Sequence, residues 1–344
     1  MSAKNRARLT QEEARALATR AFERAGVAEA AASDAAEILT LAQMMGIDTY
    51  GLGRVAGLIE RIRVGGIDPG ANVSVSSPAS ALRHVDGQNG LGPAVARLAL
   101  AKAMDAAQES GIGACFCMRA NHLGALAPYL WIAAEAGFAA IVTTNTAAMI
   151  APAGGRSPQL GNNPLGIGMP YPGGDPVLLD MALSVVSRSR VRNAAQAGTP
   201  IPDTWGTDSA GRPTTDAAAA IDGMLLPVGG YKGAGLALGL DLLSGVLSGA
   251  SFLGDVPTVA RQPDAEQNLG HMFILIDAQR LMSDMNLAER MASAVAMIEG
   301  TPPVDADQPV RLPGARAVAS LRQSQAEGIR LDQELLAELR SLAG

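Results

Sequence analysis

A chain of 344 residues with 48% hydrophobic content holds enough apolar material for one large domain or two ordinary ones. Aromatics make up only 3%, so close packing of small residues is expected rather than an aromatic-rich binding face. A net charge of −6, with no run of like charges, excludes the basic footprint of a nucleic-acid binder and gives no sign of a charged tail.

The segment from Met1 to Arg8 is polar and basic with no apolar stretch behind it, so no secretory leader is expected. The first helix starts after Thr10: Glu13, three residues on, completes a capping box, Leu17, Ala18 and Phe22 recur at helical spacing, and Gly26 closes the element. A second helix begins near Ala28, with Ser33 as a candidate cap, and runs to about Met45. A third covers Gly53 to Val64 and stops at Gly65-Gly66. The N-terminal region is therefore expected to be all-helical. Strands and helices then alternate: ALRHVDG, a helix closed by Gly111, GACFCMR, a helix in GALAPYLWIAAEAG, FAAIVTTN, LGIGMP and VLLDMA. Such alternation indicates an α/β layer. Cys115 and Cys117 fall on one face of their strand, where they are expected as small buried hydrophobes; a Cys-x-Cys pair alone makes no zinc site.

Thr199 to Thr215 is rich in Pro, Gly, Asp and Thr and is expected to be a long loop. Ala234 to Leu253 has the length of a membrane span, but it carries Asp241, three Ser and four Gly, so a buried core or interface helix is expected. HMFILID is a further strand, and a polar helix starts at Asp332, which suits its N-cap.

No G-x-G-x-x-G follows a strand and opens a helix, and GGYKGAG has the wrong spacing for a P-loop. Three other junctions are candidates for chemistry. RANHLGAL, from Arg119 to Leu126, joins a strand to a helix whose first N–H groups suit a pyrophosphate. His122 stands in that turn, although a single His serves more often as a structural hydrogen-bonding group than as an acid. PVGGYKGAG, from Pro227 to Gly235, places Lys232 where it could neutralise a phosphate; a solvated Lys on a tight turn explains it equally well. LLDMALS ends a strand at Asp180 and Ser184. Asp48, Thr49, Tyr50 and Arg54 form a polar cluster after an apolar helix, and Arg54 suits a bidentate pair with a carboxylate. Asn145 and Asn162-Asn163-Pro164 are polar groups at strand edges.

Nine segments in order, GIDTYGLGR, DGQNGLG, RANHLGALAPY, TTNTAAMIAPAGG, LGNNPLGIGMP, LLDMALS, IPDTWGTDSAGRPTTD, LPVGGYKGAGLAL and RLPGAR, resemble the type-2 malate/L-lactate dehydrogenase family. That family includes ureidoglycolate, sulfolactate and 2,3-diketogulonate oxidoreductases and the reductases of Δ1-pyrroline- and Δ1-piperideine-2-carboxylate. The likeness runs from about Thr10 to Gly344. It implies an α/β fold that is not of the Rossmann type. A helical domain built from both ends of the chain (1–76, 236–268 and 305–344) would accompany a central α/β cofactor-binding domain (77–235 and 269–304). It also implies a cytoplasmic homodimer, without metal or membrane partner, that binds NADPH or NADH at a dimeric site and acts on a small carboxylate substrate. By position, His122, Leu123, Gly124, Ala125, Leu126, Asp180, Met181, Ala182, Ser184, Tyr231, Lys232, Gly314 and Arg316 would meet the cofactor. Arg54, Asn162, Arg188 and Ser189 would meet the substrate.

Four departures from the family pattern surround that implied site. Thr49-Tyr50-Gly51 stands where the family usually has Ser-His-Gly, Arg190 where some reductases have Asp, Asn162 where Thr is common, and Arg316 where Glu is common. Reduction of a ketone needs a proton donor. A phenol, with a pKa of about 10, is protonated at neutral pH, and a neighbouring cation makes it a stronger acid. Tyr50 with Thr49 and Arg190 is thus the expected catalytic group. A cyclic iminium already carries its proton and needs no strong acid. Arg316 would attract the 2′-phosphate of NADPH. The competing expectations are a repurposed family member that keeps the dimer and cofactor pocket without normal turnover, and a soluble oligomer with no nucleotide site.

Overall fold

A computed structural model describes residues 6–283 and 285–344, so the polar start read for Met1 to Asn5 lies outside the described residues. The capping box forms as expected: the Glu13 N–H donates to Thr10 Oγ1 (3.1 Å), and the Thr10 N–H donates to Glu13 Oε2 (2.8 Å). It starts α1 (Gln11–Arg24). The next helix, α2 (Glu29–Met44), differs at its start. Ala28 is the N-cap, and Ser33 sits inside the first turns, where its hydroxyl accepts from Arg15 (2.9 Å). α2 needs no polar cap because most of its surface is buried, including Ala32, Ala35, Ile38, Leu39 and Met44. A 3₁₀ turn, Asp48–Tyr50, leads into α3 (Arg54–Arg63).

Both chain ends meet here. β1 (Arg6–Leu9) pairs antiparallel with β9 (Ile329–Asp332). α11 (Ala315–Glu327) packs on α2, and α12 (Gln333–Ala343), with Asp332 at its N-cap position, packs on α1 and α3.

The central layer is a mixed seven-stranded sheet. Its strands are β2 (Ser74–Ala79), β3 (Leu82–Asp86), β4 (Ile112–Ala120), β5 (Phe138–Thr144), β6 (Leu165–Met169), β7 (Val177–Met181) and β8 (Leu269–Asp277). Their order is β2-β3-β4-β8-β5-β6-β7. Among these neighbours only β3 and β4 run parallel. The late strand β8 inserts between β4 and β5, which aligns Cys117, His271 and Thr144 in one row across the sheet. α4 (Gly92–Ser110), closed by left-handed Gly111 as expected, lies against β4 and β8; α5 (Ala127–Glu135) covers β5 and β6. α4 sits so close to β4 that a Cβ on Gly113 would lie 2.3 Å from the Ala103 carbonyl oxygen.

One hydrophobic core runs without a break from Phe22 and Leu39 in the terminal helices to Tyr129, Leu130 and Phe273 beside the sheet. Cys115 and Cys117 are fully buried in it, as expected. A second cluster, including Ile150, Leu160, Leu183 and Leu225, packs with Ala237 and Leu240 of α8 (Tyr231–Asp241). α6 (Arg188–Gln196) and α7 (Ala217–Ile221) border the 199–215 loop, whose only ladder contacts are isolated bridges such as Thr207 with Pro213. The apolar run from Ala234 to Leu253 is not one helix: α8 passes into a π-helical turn at Leu242–Val246. Among the described residues no helix is long and apolar enough to cross a membrane. α9 (Ala278–Leu281) and α10 (Leu287–Glu299) complete the chain, and α10 buries no residue.

Candidate active site

A cavity of about 540 Å³ opens where the terminal helices meet the ends of β4 and β7. Tyr50 enters it from the 3₁₀ turn after α2. Gln43 fixes that turn at both ends: its Nε2 donates to Asp48 Oδ1 (2.7 Å), and its Oε1 accepts from the Leu52 N–H (3.2 Å). Only a glycine fits beside it, since a Cβ on Gly51 would lie 2.5 Å from Gln43 Oε1. The Tyr50 ring stacks on His122, with centroids 5.5 Å apart and planes 15° from parallel. Burial raises the Tyr50 pKa above its ordinary 10.0; the Arg54 guanidinium opposes that rise and the Asp180 carboxylate adds to it. Arg190 lies over the Trp205 ring at 5.0 Å, and Arg54 is the cation that acts on Tyr50.

His122 follows β4 in a turn that Gly124, at φ +94°, allows to reverse. The Gly124 N–H donates to His122 Nδ1 (3.0 Å), which leaves the ring proton on Nε2. Burial first, then Arg54, His271 and Arg61, push the His122 pKa down to about 3. At neutral pH His122 is thus a neutral donor through Nε2–H. The Tyr129 hydroxyl pins the turn by donating to the Leu123 carbonyl (2.7 Å).

The helix start in this turn differs from expectation. Asp180 Oδ2 accepts from both the Leu126 and Ala127 N–H groups (2.9 Å each), so the donors expected to meet a pyrophosphate already hold a carboxylate of the chain itself. Burial raises the Asp180 pKa, and these two donors partly offset the rise. The facing wall carries Asn162. Its Oδ1 accepts from Thr146 Oγ1 (2.9 Å) and its backbone N–H donates to the same hydroxyl (3.0 Å). Asn163 anchors this wall to α8. It accepts from the Thr146 N–H (3.0 Å) and donates to the buried Asp241 carboxylate (2.9 Å). Gly314, at φ +80°, closes the cavity from α11 and leaves no room for a Cβ, which would sit 2.4 Å from the Leu178 carbonyl oxygen.

The structure thus brings Tyr50, His122, Gly124, Ala125, Leu126, Asn162, Asp180, Ala182 and Gly314 around one space. Arg54, at the exposed head of α3, acts on both aromatic rings. Other expected residues lie elsewhere in the single chain. Thr49 is exposed on the Tyr50 turn, Leu123 is buried below the cavity, and Met181 packs against the second cluster. The Ser184 hydroxyl is buried without a partner among the described residues. Arg188 donates to the Ile221 and Gly223 carbonyls, and Ser189 bonds Ser187. Tyr231 is 71% exposed beside Lys232 at the head of α8, next to a separate pocket of about 280 Å³. Arg316 faces a different depression, shared with Arg311. Sequence reasoning missed Gln43, Thr146 and Asp241 as supports: Thr146 and Asp241 act through partners distant along the chain, and Gln43 acts across an irregular turn that no helix or strand spacing describes.

A family model described as malate/L-lactate dehydrogenase matches residues 9–340. The Δ1-pyrroline-2-carboxylate/Δ1-piperideine-2-carboxylate reductase of Pseudomonas aeruginosa is 33% identical over 97% of this chain and 99% of its own. The (2R)-3-sulfolactate dehydrogenase (NADP(+)) of Chromohalobacter salexigens is 35% identical over 96% of each. Among solved structures, Δ1-piperideine-2-carboxylate reductase from Pseudomonas syringae pvar. tomato superposes with a TM-score of 0.89 at 28% identity, covering 98% of this chain and 99% of that one.

Proposed function

Because the chain belongs to the malate/L-lactate dehydrogenase family, we propose that it is an NAD(P)H-dependent reductase of the C=O or C=N bond of a small 2-oxo acid or cyclic 2-imino acid. The observation that carries this reading is the Tyr50–His122 stack inside the shared cavity. The cavity fits a nicotinamide: Leu126, Leu178 and Pro313 give apolar wall for a flat ring, and Tyr50, His122 and Asn162 give polar groups for the reacting end. Leu126, Leu178 and Pro313 would hold a reduced nicotinamide, which when bound would supply the hydride for the substrate carbon. Arg54 holds the substrate carboxylate. Tyr50, protonated at neutral pH, gives its phenolic proton to the oxygen as negative charge gathers there and regains one from water. His122 Nε2–H donates a hydrogen bond toward the same charge.

Exclusion of water from this space strengthens both donors. The sheet, with a single parallel pair among the described neighbours, supports a mode of dinucleotide binding unlike the Rossmann one. The division into a helical part (1–76, 236–268 and 305–344) and an α/β part (77–235 and 269–304) belongs to the same proposal, supported by the pairing of β1 with β9 and the packing of α11 on α2. Homodimerisation, with the cofactor held between two copies, is supported by the outward apolar face of Leu242, Leu243, Val246 and Leu247, which are 41–63% exposed. It also accounts for Lys232 and Tyr231, which lie outside the single-chain cavity. NADPH is the preferred cofactor, supported by Arg311 and Arg316 on one depression.

A fluorescence titration with NADPH and NADH, followed by turnover of 2-oxo and cyclic imino acids, tests the reading. Tyr50→Phe is expected to lower kcat about a hundredfold or more with a ketone and much less with an iminium. The second reading, a repurposed member without turnover, is favoured by Tyr50 at the position where the family usually has His. Cofactor binding with no oxidation across the panel selects it. No binding of either cofactor sinks both.

A further inference from the structure

Arg61 is 7% exposed, yet among the described residues no carboxylate pairs with it. All five of its guanidinium donors are committed to neutral oxygens. Nε donates to the Pro263 carbonyl (3.1 Å), Nη1 to Asn121 Oδ1 (2.9 Å) and Gln267 Oε1 (3.1 Å), and Nη2 to the Gly66 and Ala265 carbonyls (2.6 and 2.8 Å). A buried cation without a counter-ion is costly to keep, so its retention calls for a use. Asn121 is equally constrained. It is fully buried, and its Nδ2 donates to the Asn89 carbonyl, Asn89 Oδ1 and the Gly90 carbonyl. The next residue is His122. Arg61 also lies seven residues after Arg54, two turns along one face of α3. The path therefore closes on itself: the tail of α3 holds Arg61, Arg61 holds Asn121, Asn121 precedes His122, and His122 stacks on Tyr50 just ahead of α3.

We propose that Arg61 is a positioning residue: it clamps the end of β4 to α3 so that the His122 ring is held against Tyr50, and it sets an uncompensated cation behind that ring. This rests on the reductase reading for its chemical purpose. A cation behind the imidazole polarises the Nε2–H bond, which strengthens its hydrogen bond to an oxygen gaining negative charge. The charged and titratable groups that face His122 are Arg54 and Arg61 from α3, His271 from β8 and Tyr50 from the 3₁₀ turn, with Asp180 of β7 facing Tyr50. Burial leads and the two cations add to it, so the ring stays neutral.

Gln267→Glu tests this with a nearly isosteric change that supplies the missing counter-ion at 3.1 Å from Arg61 Nη1. The titration midpoint of His122, followed by ¹⁵N NMR, is expected to rise by about one unit or more. In the same variant kcat is expected to fall about tenfold while the KM for substrate and the Kd for cofactor stay within about twofold. An unchanged midpoint together with an unchanged kcat overturns the proposal. Arg61→Lys reads the other half of it, keeping the charge but losing the planar fork. It is expected to weaken the ring contact between Tyr50 and His122 in the nuclear Overhauser spectrum with the midpoint still low; wild-type contact and wild-type kcat in that variant also overturn the proposal. The NMR readouts need no turnover. A wild-type protein that binds neither NADPH nor NADH therefore refutes the reductase reading, while the His122 response still decides the role of Arg61.

Discussion

Gly51→Ala puts the construction of the Tyr50 turn to a direct test. A methyl at this position would lie 2.5 Å from Gln43 Oε1 and 3.1 Å from both Gln43 Cα and Cβ. Rotating the amide away is not enough, because the two carbon contacts remain. Overpacking of this kind costs about 1–3 kcal/mol. Displacing Gln43 also breaks its bonds to Asp48 and to the Leu52 N–H, and an N–H left without a partner adds about 1–2 kcal/mol. The sum is about 2–5 kcal/mol, read as a lower urea midpoint with an unchanged m-value. Tyr50 is the residue next to the perturbation, so a shift of about 1 Å in its ring would lower kcat/KM about a hundredfold. Gln43→Ala in the Gly51→Ala background removes the clash, and the pair should be far less than additive in stability. If Gly51→Ala alone stays within about 0.5 kcal/mol of the parent and turns over normally, the steric reasoning is wrong.

Phe22→Ala, in a fully buried position remote from the cavity, is expected to cost about 3–5 kcal/mol by urea unfolding while leaving cofactor affinity unchanged in the folded protein. His122 and His271 have folded pKa values lowered to about 3 and about 4, against 6.5 when unfolded. The unfolded chain therefore binds more protons, and stability is complete above the unfolded value and falls as pH drops from 6.5 toward 4. Urea midpoints at pH 7 and pH 5 measure that loss, and His271→Gln should shrink it. Arg316→Glu is expected to move the NADPH-to-NADH affinity ratio at least about tenfold toward NADH, read by fluorescence titration; an unchanged ratio removes Arg316 from the cofactor site. Leu243→Arg combined with Leu247→Arg, on the exposed face after α8, is expected to shift sedimentation of the proposed dimer to monomer; a parent protein already at monomer mass refutes the dimer, and an unmoved dimer peak places the contact elsewhere.

Much of the frame was legible because its signals are local. Thr10 and Glu13 announce α1, Gly111 ends α4, and short apolar runs mark β4 and β8. β2 was missed because SVSSPA is exposed throughout and has no apolar face to betray it. α6, α10 and α11 were missed for a related reason: each buries two residues or fewer, so the helical period is faint. At the site, the polar residues of short turns (Tyr50, His122, Asp180, Asn162) stood out as lacking any local reason for being there. Their relations did not. That Asp180 caps α5 and that Arg61 reaches Asn121 both depend on contacts across tens of residues. No spacing rule reports such contacts.

The pairing of β1 with β9 bears on how the protein is made. Arg6 to Leu9 leave the ribosome long before their partners Ile329 to Asp332 are translated. Closing so long a loop carries a large entropic toll and slows the step that depends on it. The helices that present Tyr50 are thus synthesised early but cannot settle until α11, β9 and α12 arrive. A nascent chain released a few dozen codons short would have nearly every reactive side chain and still lack the lid of α11 and the buttress of α12.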